Sequence, residues 1–131
     1  MDLTNTPCVC GSGKYYGQCC GPFHGGFAAP TAALLMRSRY SAYVLALPNY
    51  LRATWHVNTR PSVQKVLIDV ETKWQSLTIV NSAEVDERHA VVEFIARYKW
   101  RGRAQRLHEI SCFVREENKW FYVDGSFPEK L

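Results

Sequence analysis

Long apolar runs are missing from this sequence of 131 residues. No stretch approaches the roughly eighteen consecutive apolar residues that a membrane helix needs, and no charged-then-apolar leader opens the chain. We therefore expect a cytoplasmic protein without a membrane partner. A large excess of charge is missing too, since the chain has 16 basic and 12 acidic residues. The formal charge of +4 gives only weak support to an acidic partner, because a mildly basic domain is usually just a solvated one.

Cysteines are few but tightly clustered. Four of the five form a Cys-x-Cys pair, a gap of eight residues and an adjacent pair. Four thiolates so close together suit a tetrahedral zinc, which takes four sulfur ligands at about 2.3 Å. The segment has too few apolar side chains for a core of its own, so we expect the metal to supply its folding free energy. The sequence therefore predicts one structural zinc on Cys8, Cys10, Cys19 and Cys20.

Three other interpretations of this segment stay open. Disulfides are disfavoured because adjacent cysteines seldom bond each other without strain and because cytosolic cysteine clusters are usually metal sites. Gly-Ser-Gly-Lys at 11–14 suggests a phosphate loop, but the Walker pattern needs Ser or Thr where Tyr15 stands. Four thiolates would also permit an iron–sulfur cluster, although the ferredoxin spacings differ. His24 is expected to be a surface residue rather than a further ligand.

The cysteine spacing, the intervening Gly-Ser-Gly-Lys and the closing Cys-Cys-Gly resemble the SEC-C motif, a small zinc module also found at the C-terminus of the SecA translocation ATPase. The resemblance implies that all four clustered cysteines are zinc ligands. Four cysteine ligands leave no open coordination position, which is typical of structural zinc. We expect a protein or ribosomal partner at this module. Phe23 and Phe27 are expected to dock it onto the remaining chain, which we expect to fold by itself.

Beyond the cysteines, the chain predicts helices first and strands afterwards. Thr31 is expected to cap a helix that ends at Leu47, and Pro48 suits the first turn of a second helix. Residues 62–73 have helical spacing and predict a short third helix. From Trp74 onward, segments rich in β-branched and aromatic residues, separated by short turns, predict antiparallel strands near 77–80, 90–100, 106–115 and 120–123. This order favours an α+β fold with helices packed on one face of a curled sheet.

Three segments, at 35–43, 50–56 and 120–125, resemble the YchJ family of small bacterial proteins. Those proteins join a SEC-C motif to a domain of the nuclear-transport-factor-2-like fold. The resemblance implies a zinc segment and linker in residues 1–28, followed in residues 29–131 by a cone of helices against a bent antiparallel sheet. It implies a fold and a metal but no reaction.

Strand alternation predicts which side chains fill the cone. Because successive side chains point to opposite faces of a sheet, Glu109 and Asp124 are expected to turn inward with the aromatic residues. A carboxylate among aromatic rings must be paired, hydrogen-bonded or protonated, so we expect an ion pair between Glu109 and Arg39. Cys112 has the opposite parity and is expected to be a half-buried small hydrophobe. The predicted pocket comprises Arg37, Arg39, Tyr40, Trp55, His56, Tyr98, Glu109, Tyr122 and Asp124.

Two classes of function stay open. We favour a binding or adaptor module with structural zinc. The alternative is a small-molecule pocket, or an enzyme in which Glu109 and His56 exchange a proton, and a structural role for the acid is favoured over a catalytic one. A nucleic-acid variant of the first class depends on one hairpin tip where basic and aromatic residues interleave, at Tyr98, Trp100, Arg101 and Arg103.

Overall fold

A computed structural model of the chain describes residues 3–62 and 71–128. A 3-10 turn at Tyr16–Gln18 and a short helix, α1 (Cys20–His24), follow the first cysteines. Two further helices come next, α2 (Ala32–Val44) and α3 (Pro48–Ala53). The strands are β1 (Thr72–Asp86), β2 (His89–Trp100), β3 (Arg103–Glu116) and β4 (Lys119–Ser126). Within the described part of the chain, no helix is both long and apolar enough to cross a membrane.

The four strands form one antiparallel sheet in the order β1-β2-β3-β4, which confirms the predicted hairpins. The turn between β2 and β3 has positive φ at both central residues, Arg101 and Gly102, and such turns match the twist of the flanking strands. All four strands are longer than predicted, because their polar ends pair through backbone groups that leave no hydrophobic signal. The predicted helix over residues 62–73 lies mostly outside the described residues, and its last two positions belong to β1.

Helix α2 begins and ends through local backbone chemistry. The Thr31 side chain accepts a hydrogen bond from a backbone N–H of the first turn, at 3.1 Å, so the predicted cap is confirmed. The helix ends at Val44 rather than at Leu47, because Ala46 has a φ of 58°. The Leu47 N–H then bonds back to a carbonyl of the last turn, 2.8 Å away, and so closes the helix end. Pro48 opens α3 as predicted.

The core lies between α2, α3 and one face of the sheet. Strand parity places Phe94, Ala96, Glu109, Ser111 and Phe113 on this face, and all five are buried. Trp100, next to a turn, is exposed instead. The four clustered cysteines belong to the same buried cluster as the core residues of α2 and the sheet, so the cysteine segment packs as part of one core. The α+β arrangement predicted from the sequence is confirmed.

One bulge in β4 changes which residues face the core. Tyr122 pairs with Phe113 but Asp124 pairs with Cys112, so Val123 is an extra residue in the ladder. A bulge of one residue reverses the parity that follows it. The prediction that Asp124 turns inward is therefore wrong: Asp124 is exposed, beside Cys112 on the outer face. Cys112 is exposed as well, not half-buried as predicted.

Candidate metal centre and cone cavity

The four sulfur atoms of the cysteine cluster lie within 4.8 Å of one another. The Sγ atoms of Cys10 and Cys19 are 3.6 Å apart, and those of Cys19 and Cys20 are 3.9 Å apart. A tetrahedral centre with metal–sulfur bonds of 2.3 Å has sulfur–sulfur edges of roughly 3.8 Å. All four residues are buried. The spacing fits a single four-coordinate metal ion, and the same distances are far too long for disulfides of about 2.05 Å.

The protonation behaviour of the thiols also fits a metal. Hydrogen bonds with Cys10 and Cys8, together with burial, raise the pKa of Cys20, and burial raises the pKa of Cys19. Hydrogen bonds with Cys20 and Cys8 lower the pKa of Cys10. Ionisation of one thiol therefore makes ionisation of the neighbouring thiols harder. A bound cation removes this conflict, because a coordinating thiol is deprotonated outright.

Tight turns bring the cysteines together. Gly11 and Gly13 both have positive φ, at 80° and 88°, a conformation that is strained for residues with a Cβ. The Cys8 N–H bonds to the Lys14 carbonyl at 2.9 Å and closes the loop between them. From within that loop, the Ser12 hydroxyl lies 3.1 Å from a cysteine sulfur of the second pair. The glycines noted in the sequence thus allow the turn that the cluster requires.

Helix α2 supplies polar groups to the cysteine cluster. The Ser41 hydroxyl donates to the Cys20 sulfur at 3.2 Å. Arg37 donates to the Cys10 carbonyl at 3.0 Å and lies 3.8 Å from the Cys10 sulfur. The prediction that Arg37 lines the cone is wrong, because residues two apart on a helix point about 200° apart and Arg39 already faces the cone.

His24 links α1 to α2 and is neither a surface residue, as predicted, nor a member of the metal cluster. Its Nε2 lies 2.8 Å from the Ser38 carbonyl and its Nδ1 lies 2.6 Å from the Tyr16 hydroxyl. The ring also contacts Tyr50, with ring centroids 4.7 Å apart. Burial lowers the pKa of His24. A neutral ring satisfies both contacts, because Nε2–H can donate to the carbonyl while Nδ1 accepts from the hydroxyl.

A cavity of about 240 Å³ lies between α2 and the inner face of the sheet. Five residues of the predicted pocket line it, namely Arg39, Tyr40, Trp55, Glu109 and Tyr122. The prediction that Tyr98 belongs to this lining is wrong, because Tyr98 does not itself line the cavity but packs on the outside of the lining residue Trp74, at 5.1 Å between ring centroids. Arg37, His56 and Asp124, the other three predicted members, lie elsewhere.

His56 points away from this cavity. Trp55 forms a bridge to Tyr122 of β4, and the following residue projects to the other side, as in a strand. There His56 lies 3.1 Å from a carboxylate oxygen of Glu116, in a separate shallow cavity of the outer face. The structure does not bring His56 and Glu109 together, so the predicted proton-transfer pair is wrong.

Arg39 is held by neutral groups. Its Nη1 donates to the Leu51 carbonyl at 2.8 Å and to the Thr54 hydroxyl at 2.7 Å. The guanidinium carbon lies 5.0 Å from the ring centroid of Trp55 and 4.7 Å from that of Tyr122, where the ring faces attract a cation. Burial lowers the pKa of Arg39, although a guanidinium keeps its charge in proteins.

Glu109 is held by hydroxyl groups. Its Oε2 accepts hydrogen bonds from Ser111 at 2.7 Å and from Tyr122 at 2.9 Å. Burial and the nearby carboxylate raise the pKa of Tyr122, which therefore stays a donor. Gly125 follows the β4 bulge, and a Cβ there would collide with the carboxylate of Glu109. The predicted ion pair between Glu109 and Arg39 is wrong, because Tyr122 lies between the two groups.

The hairpin tip at β2 and β3 offers fewer free groups than the sequence predicts. Arg101 pairs with Glu71 at 2.6 Å, and its guanidinium lies 4.4 Å from the ring centroid of Trp100. The ring of Tyr98 packs against Trp74. Three of the four residues that favour nucleic acid are therefore engaged within the protein itself.

The predicted sites omit two polar residues, namely Ser41 and Thr54, whereas strand alternation does place Ser111 beside Glu109. A signal for Ser41 exists, since Ser38 and Ser41 lie three residues apart on the apolar face of a helix. Both are fully buried, and buried hydroxyls need partners. For Thr54 the partner, Arg39, comes from another helix, and no local pattern indicates it.

Comparison with protein families finds two matches. Residues 31–125 match the family described as the YchJ middle NTF2-like domain, and residues 5–22 match the SEC-C motif. A UPF0225 protein from Cupriavidus metallidurans is 52% identical over 130 residues, which cover 94% of this chain and 90% of that protein. A UPF0225 protein from Xanthomonas oryzae is 44% identical over 124 residues, covering 94% and 96%.

Two solved structures share the fold. A solution structure of a SEC-C motif containing protein from Rhodopseudomonas palustris has a TM-score of 0.86 and 33% identity, covering 95% of this chain and all of that one. A crystal structure of a SEC-C motif containing protein from Psychrobacter arcticus has a TM-score of 0.83 and 29% identity, covering 100% and 88%. Sequence and fold comparisons therefore point to the same family of bacterial proteins.

Proposed function

Because the chain belongs to the YchJ (UPF0225) family, with a SEC-C motif ahead of an NTF2-like domain, we propose that it binds one structural Zn²⁺. The ligands are the four clustered cysteines. One observation carries the proposal: four buried sulfur atoms within 4.8 Å of one another, at separations that suit a tetrahedral centre. Cysteine at all four positions leaves no site for substrate, so the ion supplies folding free energy rather than chemistry.

The role of the zinc is to hold the N-terminal segment on α2. Four thiolates and one Zn²⁺ carry a net charge of −4 + 2 = −2, and Arg37 brings a positive charge to within 3.8 Å of one sulfur. Ser41 donates a hydrogen bond to a second sulfur. These contacts come from the same helix that carries Arg39 into the cone. The metal therefore stabilises the helix on which the cavity depends.

Elemental analysis tests the zinc. Protein purified without added metal is expected to contain about one zinc per chain, and Cys19→Ser is expected to lose it, because three thiolates hold the ion poorly. Cys112→Ser is the matched control, since Cys112 lies on the outer face of the sheet. Full zinc content in Cys19→Ser would contradict the assignment of the ligands.

A second function, binding of a small molecule in the cone, is favoured by the cavity itself. Its volume of about 240 Å³ is slightly below the range of drug-sized ligand sites, and aromatic rings line it together with two buried ionic groups. The exposed Val9 and Tyr15 of the cysteine module support an adaptor role as well, with a protein partner at the module. We favour small-molecule binding over the adaptor role, because the residues that line the cavity define a more specific ligand chemistry than two exposed apolar side chains do.

Ligand-observed NMR with a set of small ring compounds tests the cavity. Compounds that bind are expected to lose binding in Ala96→Leu, because Ala96 lines the cavity and is buried, and a larger side chain there fills it. Ala104→Leu, at an exposed position of β3, is the control. Binding that survives Ala96→Leu would place the compounds elsewhere and contradict the proposal.

A further inference from the structure

The charge of Arg39 is the first unusual feature of the cavity. Arg39 is only 3% exposed, and an isolated buried charge is costly unless it is paired. Yet no carboxylate of a described residue forms an ion pair with it. Its two hydrogen bonds both use Nη1, so Nε and Nη2 have no partner among the described residues. A free edge of the guanidinium is thus left in a residue that lines the cavity.

The carboxylate of Glu109 is the second unusual feature of the cavity. Both hydroxyls that bind it donate to Oε2, and Oε1 accepts no hydrogen bond from a described residue. Its position is fixed by those hydroxyls and by the missing side chain of Gly125. Glu109 also lines the cavity. The cavity therefore has an unused donor edge on one side and an unused acceptor on the other.

Tyr122 contacts both of these groups. Its hydroxyl donates to Glu109 and the guanidinium carbon of Arg39 lies 4.7 Å from its ring centroid, so a single phenol ring bridges the two groups. The remaining walls are aromatic, formed by Tyr40, Tyr43, Trp55, Trp74 and Phe94. Flat rings pack well against such walls, in stacked or edge-on arrangements. A ligand with a single ring matches both the span and the cavity volume.

We propose that the cone cavity binds a hydroxylated aromatic acid, with the carboxylate on Arg39 and the hydroxyl donating to Oε1 of Glu109. A carboxylate can accept two parallel hydrogen bonds from a guanidinium edge. It also supplies the negative charge that no described residue places beside Arg39. Because the ligand's carboxylate and Glu109 repel each other, the acid and the hydroxyl stand at opposite ends of the ring. This inference rests on the proposed small-molecule function of the cavity.

Calorimetric titration of the full, zinc-loaded chain with three probes tests the ligand class. The expected result is that 4-hydroxybenzoate binds at least about tenfold more tightly than benzoate, which lacks the donor, and than phenol, which lacks the acid. A polar group left unpaired in a buried site accounts for such a loss. Equal affinities for the three probes, or no binding of 4-hydroxybenzoate, would overturn the proposal.

Two variants assign the ends of the ligand. Glu109→Gln is expected to reduce the ratio of the affinities for 4-hydroxybenzoate and benzoate. Arg39→Met is expected to reduce the ratio of the affinities for 4-hydroxybenzoate and phenol. Lys99→Met, at an exposed position on β2, is the control and should change neither ratio. If Arg39→Met does not fold, the probe series on the unchanged chain still decides the matter. Unchanged ratios in Glu109→Gln would overturn the placement of the hydroxyl.

Failure of this inference differs from failure of the cavity function. If other ring compounds bind in a way that Ala96→Leu abolishes while 4-hydroxybenzoate does not bind, the cavity takes small molecules of another class. If no ring compound binds, both proposals fall.

Discussion

Arg39 and Glu109 share a cavity but have different partners. The sequence places both inside the cone, and strand and helix parity are sufficient for that. It does not indicate the partners, because Thr54 and Tyr122 come from other elements and reach the ionic groups only after packing. An ion pair is the simplest expectation for a buried acid and base. Here hydroxyl groups and ring faces replace it.

Coupling between these residues measures the difference. A buried ion pair would cost roughly 3–5 kcal/mol when one partner is removed. Because Tyr122 separates Arg39 from Glu109, we expect the double-mutant cycle of Arg39→Met and Glu109→Gln to give a coupling energy below about 1 kcal/mol. Urea unfolding of the four proteins gives this value. A coupling near 3 kcal/mol would restore the direct ion pair.

Gly125 is the residue that makes room for the acid. A methyl group at this position would collide with the Glu109 carboxylate, so Gly125→Ala is expected to destabilise the fold by about 1–3 kcal/mol, as overpacking does. Gly25→Ala is the matched control, since a Cβ there makes only ordinary contacts. Denaturant unfolding measures both. Equal stabilities of the two variants would show that the carboxylate lies elsewhere.

At the scale of elements, strong local signals predict well and long-range ones do not. The cap at Thr31, the start at Pro48 and the four strands all follow from neighbouring residues. The bulge at Val123 does not, because pairing with β3 sets the register and no residue in β4 marks the extra position in advance. The error for Asp124 follows directly from this bulge. Helix α2 ends before the predicted Leu47 because Ala46 takes a backbone conformation usual for glycine, which the sequence does not indicate.

The contact between α1 and α2 has a pH dependence of its own. Burial lowers the pKa of His24 below its unfolded value of about 6.5, so the unfolded chain takes up the proton more readily. The contribution of His24 to the free energy of unfolding is therefore fully present above the unfolded pKa of about 6.5 and falls as the pH drops below it. Unfolding at several pH values between about 7.5 and 5.5, with zinc in excess, should show a shallower loss for His24→Gln. Identical slopes would mean that His24 ionises freely in the folded chain.

At the scale of the molecule, the cysteine segment and the cone share one buried cluster. The sequence predicts that residues 29–131 fold alone, with Phe23 and Phe27 as the only docking contacts. Phe27 is 74% exposed and adds little, whereas Ser41 and Arg37 contact the cysteines directly. The boundary between the two parts stays a prediction, but the interface is larger than two phenylalanines provide.

A fragment that begins at Ala29 tests this interface. Its aromatic core lies within the fragment, so we expect cooperative melting. Removal of the cysteine segment exposes the face of α2 that it covers. We expect this to lower the melting temperature by roughly 10 °C or more, since about 1 kcal/mol corresponds to several degrees in a domain of this size. Differential scanning calorimetry of the fragment and of the zinc-loaded chain gives the comparison. Equal melting temperatures would contradict a shared core.

The central claim, that one zinc bound by four sulfur atoms holds the N-terminal segment on α2, is tested most directly by X-ray absorption at the zinc edge. Protein purified without added metal should show a first shell of four sulfur atoms at about 2.3 Å, with no nitrogen or oxygen neighbour. Because all four cysteines are buried and mutually close, water should not enter the shell. A shell with a nitrogen or oxygen ligand, or a sample without zinc, would contradict the account.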